Sequence, residues 1–270
     1  MMTTQNEKAE RFRALHAREG AFILPNPWDR GSTRLLEQAG FEALATTSAG
    51  CAFSLGLRDN QVGRERMMEH VRELASATSL PISVDLENGY GDDPGIVAET
   101  LRMTAEAGAV GGSIEDASGN PQHPLYDLDH ATARIRAAVE AARGLSFPFT
   151  LTARAENFLV GKPDLDDTIA RLRAYQDAGA DVLYAPGLRT LEQIEAVLRA
   201  VDRPINVLAG AAFDRDTLAR MGVRRISVGG ALTRVAYGAL LRAAAEMREH
   251  GGFTFFNDAV SHGELQERFA

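Results

Sequence analysis

Asp177-Ala178-Gly179-Ala180-Asp181-Val182-Leu183-Tyr184 compresses a helix end, a glycine turn and an apolar strand into one short stretch. The same phrase returns three more times. Gln38-Ala39-Gly40 leads into Phe41–Thr46, Glu106-Ala107-Gly108 into Ala109–Ile114, and Arg220-Met221-Gly222 into Val223–Val228. Glycine at this point supplies the left-handed residue that caps a helix and turns the chain toward the next strand. Four further apolar runs lie between these phrases, at Ala21–Leu24, Ile82–Leu86, Phe149–Arg154 and Pro204–Leu208, which makes eight strands. Amphipathic stretches separate them; in Asp164–Asp177, Leu165, Ile169, Leu172 and Tyr175 recur at helical spacing. Eight strands alternating with helices over 270 residues predict an α/β fold, a (β/α)8 TIM-type barrel, with a doubly wound open sheet as the alternative.

No linker or low-complexity segment divides the chain, so residues 1–270 read as a single barrel domain. Within the N-terminal segment 1–20, Glu7–Arg18 presents Phe12 and Leu15 as a helix that covers the barrel's N-terminal mouth. After a helix around Leu232–Met247, Gly251-Gly252 breaks the pattern and opens a tail over 248–270. Its Phe253, Phe255 and Phe256 either fold onto the chain's own barrel or dock on a neighbouring subunit.

The composition, 45% apolar and 24% charged, supports a full core without disulfides or metal staples. A net charge of -8 argues against nucleic acid or an anionic membrane as the main partner. The single cysteine, Cys51, excludes an intrachain disulfide and fits a reducing compartment. The first twenty residues are polar and charged, unlike a signal peptide, and no apolar run is long enough to span a bilayer. A soluble cytoplasmic protein is expected.

In a barrel the site lies at the C-terminal ends of the strands. The second strand ends in Thr46-Thr47-Ser48-Ala49-Gly50, where Thr47, Ser48 and Ala49 offer hydroxyl and backbone donors to a substrate carboxylate. The third ends in Asp85-Leu86-Glu87-Asn88-Gly89-Tyr90-Gly91; strand alternation turns Ser83, Asp85 and Glu87 one way and Ile82, Val84 and Leu86 the other. The fourth carries Ser113 and Glu115 on one face, the fifth Thr152, Arg154 and Glu156, and the seventh Asn206 as a further substrate-binding candidate. Carboxylates this crowded repel one another unless a cation or a catalytic task holds them. Asp59, Asp85, Glu87 and Glu115 form an oxygen-only set that favours Mg²⁺, or Mn²⁺, with Asp85 closest and the others acting through water. Arg154 supplies a fixed positive charge for a substrate carboxylate or a developing oxyanion, or else pairs with Glu115 or Glu156 to satisfy the barrel interior. Tyr90 and His123 are the remaining acid–base candidates. Against those roles, Tyr90 packs or orients a water, and His123, between Pro121 and Pro124, is an exposed loop histidine.

Leu24-Pro25-Asn26-Pro27-Trp28-Asp29, the loop Leu55-Gly56-Leu57-Arg58-Asp59, the Asp85–Gly91 run, Ile114-Glu115-Asp116, Thr152-Ala153-Arg154-Ala155-Glu156 and Tyr175–Asp181 occur in an order that resembles the isocitrate lyase/phosphoenolpyruvate mutase superfamily, from about Phe22 to about Gly230. The resemblance implies a Mg²⁺-dependent barrel acting on 2-oxo acids or related hydroxy-diacids, making or breaking a C–C or P–C bond through an enolate-like intermediate. It also implies a homotetramer, a dimer of dimers whose last helix is exchanged between subunits. Carried over by position, Asp85 is the principal metal ligand with Asp59, Glu87 and Glu115 around it, Thr47 and Ser48 meet the substrate carboxylate, and Arg154 matches the substrate-binding arginine. Glu87 stands where the best-known members have aspartate.

The departures bear on the reaction. Lyases of this kind carry a gate with lysine and cysteine after the fourth strand, and mutases and phosphonopyruvate hydrolases a gate with lysine. Here the segment from Ala117 to Tyr126 has neither residue. In Tyr184-Ala185-Pro186-Gly187 a proline stands where the mutase has histidine. Retro-aldol cleavage needs a base and an acid, whereas loss of CO₂ from a 2-oxo acid with a β-carboxylate needs only stabilisation of the incipient enolate. A lyase resembling oxaloacetate decarboxylase is therefore expected, with a P–C bond enzyme and a non-catalytic 2-oxo-acid-binding protein as alternatives.

Overall fold

The computed structural model describes residues 3–270; Met1 and Met2 of the expected N-terminal segment lie outside the described residues. All eight strands form, as β1 (Phe22–Leu24), β2 (Leu44–Ala45), β3 (Ile82–Asp85), β4 (Gly111–Glu115), β5 (Thr150–Arg154), β6 (Val182–Tyr184), β7 (Ile205–Leu208) and β8 (Arg225–Ser227). They pair in parallel in the order β1-β8-β7-β6-β5-β4-β3-β2. The seam between β1 and β2 is spanned by the Ala45 N–H, which donates to the Pro25 carbonyl at 3.0 Å. The sheet is thus a nearly closed (β/α)8 barrel and not an open one.

Eleven α-helices accompany it among the described residues: α1 (Gln5–Ala17), α2 (Arg30–Gln38), α3 (Ser48–Ser54), α4 (Arg64–Ser76), α5 (Pro94–Glu106), α6 (Leu128–Arg143), α7 (Leu165–Ala178), α8 (Leu191–Ala200), α9 (Arg215–Met221), α10 (Ala231–His250) and α11 (His262–Phe269). The repeated glycine does what its position demands. Gly179 ends α7 at φ 103° and Gly222 ends α9 at φ 105°, both left-handed. At Gly179 a Cβ would also lie 2.7 Å from the Arg143 guanidinium and 3.1 Å from Val139.

Ile82, Leu86, Ile114, Leu151, Ala153 and Leu183 are buried in the main apolar core, together with helix residues such as Leu101, Ile135 and Leu172. The barrel's interior is different. Ser83, Ser113, Asn206, Arg225 and Ser227 border its cavity beside Leu24 and Ala45, so polar side chains share the space inside the ring, where most such barrels pack branched aliphatics. Below it, α1 closes the N-terminal mouth as expected: Ala9, Phe12, Leu15, Phe22, Leu24, Ala43 and Val110 form a second apolar cluster. His16 stacks edge-on against Phe12 and Phe22 and donates from Nδ1 to the Phe12 carbonyl at 2.8 Å.

At the other end, α10 buries only Thr233 and leaves Val235, Leu240 and Leu241 exposed. Gly251 ends it, and a short 3-10 turn at Thr254–Asn257 stacks Phe255 on Phe256 while Phe253 and Phe256 stay largely exposed. Contact with the chain's own barrel is made instead by α11. Arg34 of α2 lies 5.6 Å from the Phe269 ring centroid and donates to the Phe269 carbonyl at 3.0 Å. Among the described residues, no helix is long and apolar enough to cross a membrane.

Candidate active site

The strand ends converge on a cavity of about 440 Å³. The turn from β2 into α3 contributes Thr46, Thr47, Ser48 and Ala49, and the loop before α4 contributes Asp59. Asp85, Glu115, Arg154, Glu156, Tyr184, Asn206 and Ser227 arrive from β3 to β8 or just beyond. Of the residues expected at the site, Asp59, Asp85, Glu115, Arg154, Thr47, Ser48, Ala49 and Asn206 border this one space; Glu87, Tyr90 and His123 do not.

Arg154 occupies the centre. Its guanidinium contacts Asp85 at 2.7 Å, Glu115 at 3.0 Å and Glu156 at 2.9 Å, with the Tyr184 ring centroid 5.3 Å away. Burial alone would make it easier to deprotonate, but Glu156, Glu115 and Asp85 outweigh that and hold it firmly charged. The same crowding acts on the acids. Burial first, then the charge of Glu156, raises Glu115 well above the usual carboxylate range, and burial with the charge of Asp116 raises Glu156 too, even with Arg154 beside them. Pairing with Glu115 and Glu156, one of the two alternatives for Arg154, is present in full, and Asp85 joins it.

Asp85 is held from two sides. Its Oδ1 accepts from Arg154, and its Oδ2 accepts from the Ser48 backbone N–H at 3.2 Å and the Ser48 hydroxyl at 3.0 Å. Thr46 Oγ1 accepts from the Asp85 backbone N–H at 2.9 Å. Thr47 caps α3 by accepting from the Gly50 N–H at 3.2 Å. Ser48, expected to meet a substrate carboxylate, thus meets a protein carboxylate in this structure.

Three of the expected residues lie apart from the Arg154 cavity. Glu87 does not continue the strand alternation with Asp85, because β3 stops at Asp85 and the chain turns through left-handed backbone at Glu87 (φ 51°) and Tyr90 (φ 62°). Its carboxylate faces an adjoining cavity shared with Asn60, Tyr90, Glu99 and Glu115. There Glu87 Oε1 and the Tyr90 hydroxyl are buried without a hydrogen-bond partner. Burial first, then the charges of Asp85 and Asp59, push the Glu87 carboxyl up to about 7. Tyr90 thus shares the adjoining cavity with Glu87 and does not border the Arg154 cavity. His123 sits at the tip of a hairpin in the gate segment, where Ala117 pairs with Leu125 and the Ser118 N–H donates to the Pro124 carbonyl at 3.0 Å. That pairing turns the tip outward, and His123 lines a separate cleft with Asn157, Lys162 and Asp167.

Sequence reasoning missed the scaffold behind β4. Buried Asp116 accepts from the Glu156 N–H at 2.8 Å, from Arg171 at 3.1 Å and from the Tyr175 hydroxyl at 2.5 Å, and its backbone carbonyl accepts from the Tyr126 N–H at 2.9 Å. Asp116 thereby ties α7 and Glu156 through its carboxylate to the root of the gate hairpin, held by its backbone carbonyl. It missed Arg225 as well, although Arg225 and Ser227 alternate within β8 and that alternation is a signal for two inward side chains. Arg225 donates to Asn206 Oδ1 and to Thr152 Oγ1, each at 2.9 Å. Asn206 in turn donates to Ser227 Oγ at 3.0 Å.

A parallel (β/α)8 barrel whose strand ends gather acids around one arginine defines a class, the barrel enzymes that carry their chemistry on the C-terminal face. Within that class the chain belongs to the phosphoenolpyruvate phosphomutase family, whose model matches residues 12–248, and is an enzyme of the isocitrate lyase/phosphoenolpyruvate mutase superfamily of lyases and mutases. A solved protein of Burkholderia cenocepacia, described only provisionally as a lyase/mutase, is 60% identical with a TM-score of 0.97, covering 98% of this chain and 96% of that one. The oxaloacetate decarboxylase of Paraburkholderia xenovorans is 34% identical over 83% of this chain and 75% of its own length. The structure of an oxaloacetate acetylhydrolase in complex with its product oxalate is 27% identical with a TM-score of 0.88, covering 98% of this chain and 94% of that one.

Proposed function

We propose that this chain is a metal-dependent lyase that removes CO₂ from a small 2-oxo acid carrying a β-carboxylate, oxaloacetate being the simplest. The observation that carries this reading is the gate: it holds no lysine or cysteine, and its histidine faces outward, so the segment offers the cavity no proton donor of its own. The likeness to an oxaloacetate decarboxylase supports it.

The residues present fit a hard divalent cation such as Mg²⁺. Among the described residues no three His, Cys, Asp or Glu side chains are grouped tightly enough to hold an ion alone. Magnesium keeps several waters and takes few direct carboxylates, so Asp85 as the near ligand, with Asp59, Glu87 and Glu115 reached through water, meets its habit. Burial first, and then the neighbouring negative charges, raise the Glu87 and Glu115 carboxyls, and a cation would offset both and give the unpartnered Glu87 Oε1 a partner. When bound, the ion supplies a Lewis acid for the 2-oxo oxygen.

The chain's own groups do the rest. The Arg154 guanidinium stands where negative charge develops on the 2-oxo oxygen as the bond to the β-carboxylate breaks and its electron pair moves into the enolate. CO₂ departs without a base, and water returns a proton to the β-carbon. Asn206, fixed by Arg225 and Ser227, keeps an N–H for the substrate, and Thr47 and Ala49 line the wall beside it. Purified protein with Mg²⁺ should release pyruvate from oxaloacetate faster than the same Mg²⁺ without protein, and chelation should abolish the difference; release no faster than the metal background rejects the assignment.

We further take the chain to act as one barrel domain, in the cytoplasm, as a homotetramer in which the 248–270 tail passes between subunits, α11 meeting a neighbour's α2 as it meets its own here. The exposed Leu240, Leu241, Phe253 and Phe256 support that arrangement.

A further inference from the structure

The cavity contains two guanidinium groups in unlike situations. Arg154 is matched by three carboxylates. Arg225, only 4% exposed at the barrel floor, makes no ion pair with any acid among the described residues. Its hydrogen-bond partners are all neutral: Asn206 Oδ1, Thr152 Oγ1 and, at 3.5 Å, His16 Nε2. Burial lowers its pKa, to about 10, which leaves it charged at neutral pH.

A guanidinium has five N–H donors, and these contacts use three. Two remain without a protein acceptor, on a side chain that borders the same cavity as Arg154, Asn206, Tyr184 and Ser227. A buried charge with neither counter-ion nor full hydrogen bonding is costly, so it is expected to have a partner in the working protein. The walls above it carry Asp59, Asp85, Glu115 and Glu156, which repel an incoming acid; Arg225 is the cavity's cation not already matched by protein carboxylates.

We propose that Arg225, with Asn206, Thr152 and Ser227, forms a second anion subsite at the floor of the cavity, which takes a small carboxylate-like group. This rests on the reading of the cavity as the site of a small acid. The anionic group has two possible sources, a carboxylate of the substrate itself or a free inorganic anion. If it is the substrate's, the chemistry restricts which carboxylate sits there. A guanidinium stabilises a carboxylate as an anion and opposes its loss as CO₂, so the group seated on Arg225 is one that the reaction keeps.

The test compares succinate with butyrate, equal in chain length and differing by one carboxylate, by titration calorimetry in the presence of Mg²⁺. The wild type should bind succinate at least about tenfold tighter, the scale of one retained charged contact. Arg225→Met should erase that preference while butyrate affinity stays within about twofold, and Arg225→Lys should keep part of it. A crystal of the wild type soaked in bromide guards against a variant that does not fold. Bromide against the Arg225 guanidinium together with a succinate preference assigns the subsite to substrate; bromide there without the preference assigns it to a free anion. A floor empty of bromide with no succinate preference overturns the proposal, as does a folded Arg225→Met that keeps the preference. Pyruvate release from oxaloacetate is measured separately, so failure of the decarboxylase reading leaves this comparison intact.

Discussion

Arg154 balances three acids at once, and its replacement has a calculable direction. Arg154→Met leaves Asp85, Glu115 and Glu156 crowded without a counter-charge, so it should lower stability by about 3–5 kcal/mol at neutral pH and turnover by at least about 10²-fold. Urea unfolding and initial rates measure the two. His123→Ala, in contrast, should leave turnover nearly unchanged, because its hairpin turns it away from the cavity. His16 gives a pH signature. Burial first, then the Arg225 charge, hold its pKa down to about 3 against the ordinary 6.5, so the folded chain wants it neutral. Its contribution is complete above pH 6.5 and is lost as pH falls toward 3, because the unfolded chain takes up the proton first. Between about pH 6 and 4 the wild type should lose roughly 2–3 kcal/mol more than His16→Gln in urea unfolding, and parallel pH curves for the two would refute the point. Asp85, Glu115 and Arg154 could be found in the sequence because each closes a strand whose alternation fixes its direction. Glu87 could not be placed that way, since its direction depends on a left-handed backbone that Asn88-Gly89 only hints at.

Among the elements, the helix–glycine–strand phrase was the most legible feature, because a left-handed cap leaves few alternatives to glycine. The strands were found in every case but drawn too long: Phe41–Thr46 shrinks to Leu44–Ala45, and Val223–Val228 to Arg225–Ser227. The trimmed ends still make single backbone hydrogen bonds to a neighbouring strand, as from the Thr46 N–H to the Ser83 carbonyl at 2.9 Å, but they lie outside the continuous ladder, so composition overstates its length. The caps also separate two costs. No atom lies within 4 Å of the place a methyl group on Gly222 would occupy, so Gly222→Ala should cost only the backbone strain of φ 105°, about 1 kcal/mol. Gly179→Ala adds the approach to Arg143 and Val139 and should cost more; equal midpoints in urea would show that the close contact relaxes freely. The gate hairpin was not legible, as the residues that hold its root, Asp116, Arg171 and Tyr126, belong to three separate elements or loops.

For the molecule as a whole, the apolar surface left on α10 and the Phe253–Phe256 turn predicts that removal of residues 251–270 lowers the assembly state, measured by sedimentation velocity. A truncated chain that sediments like the full one would place the subunit contacts elsewhere. The polar interior was the part least visible in advance: Asn206 was a candidate by itself, but its neighbours Ser227 and Arg225 acquire meaning only when the ring brings them together. The ring itself has a temporal consequence. β1 pairs with β8, so Phe22 meets Arg225 across nearly the entire chain. A ribosome adding about 5–20 residues per second makes the first strand roughly 10–40 s before its partner. Throughout that interval β1 is an unpaired edge, and neither the cavity floor nor the His16–Arg225 contact exists. The nascent chain is thus most exposed to wrong pairing just before it first becomes capable of binding anything.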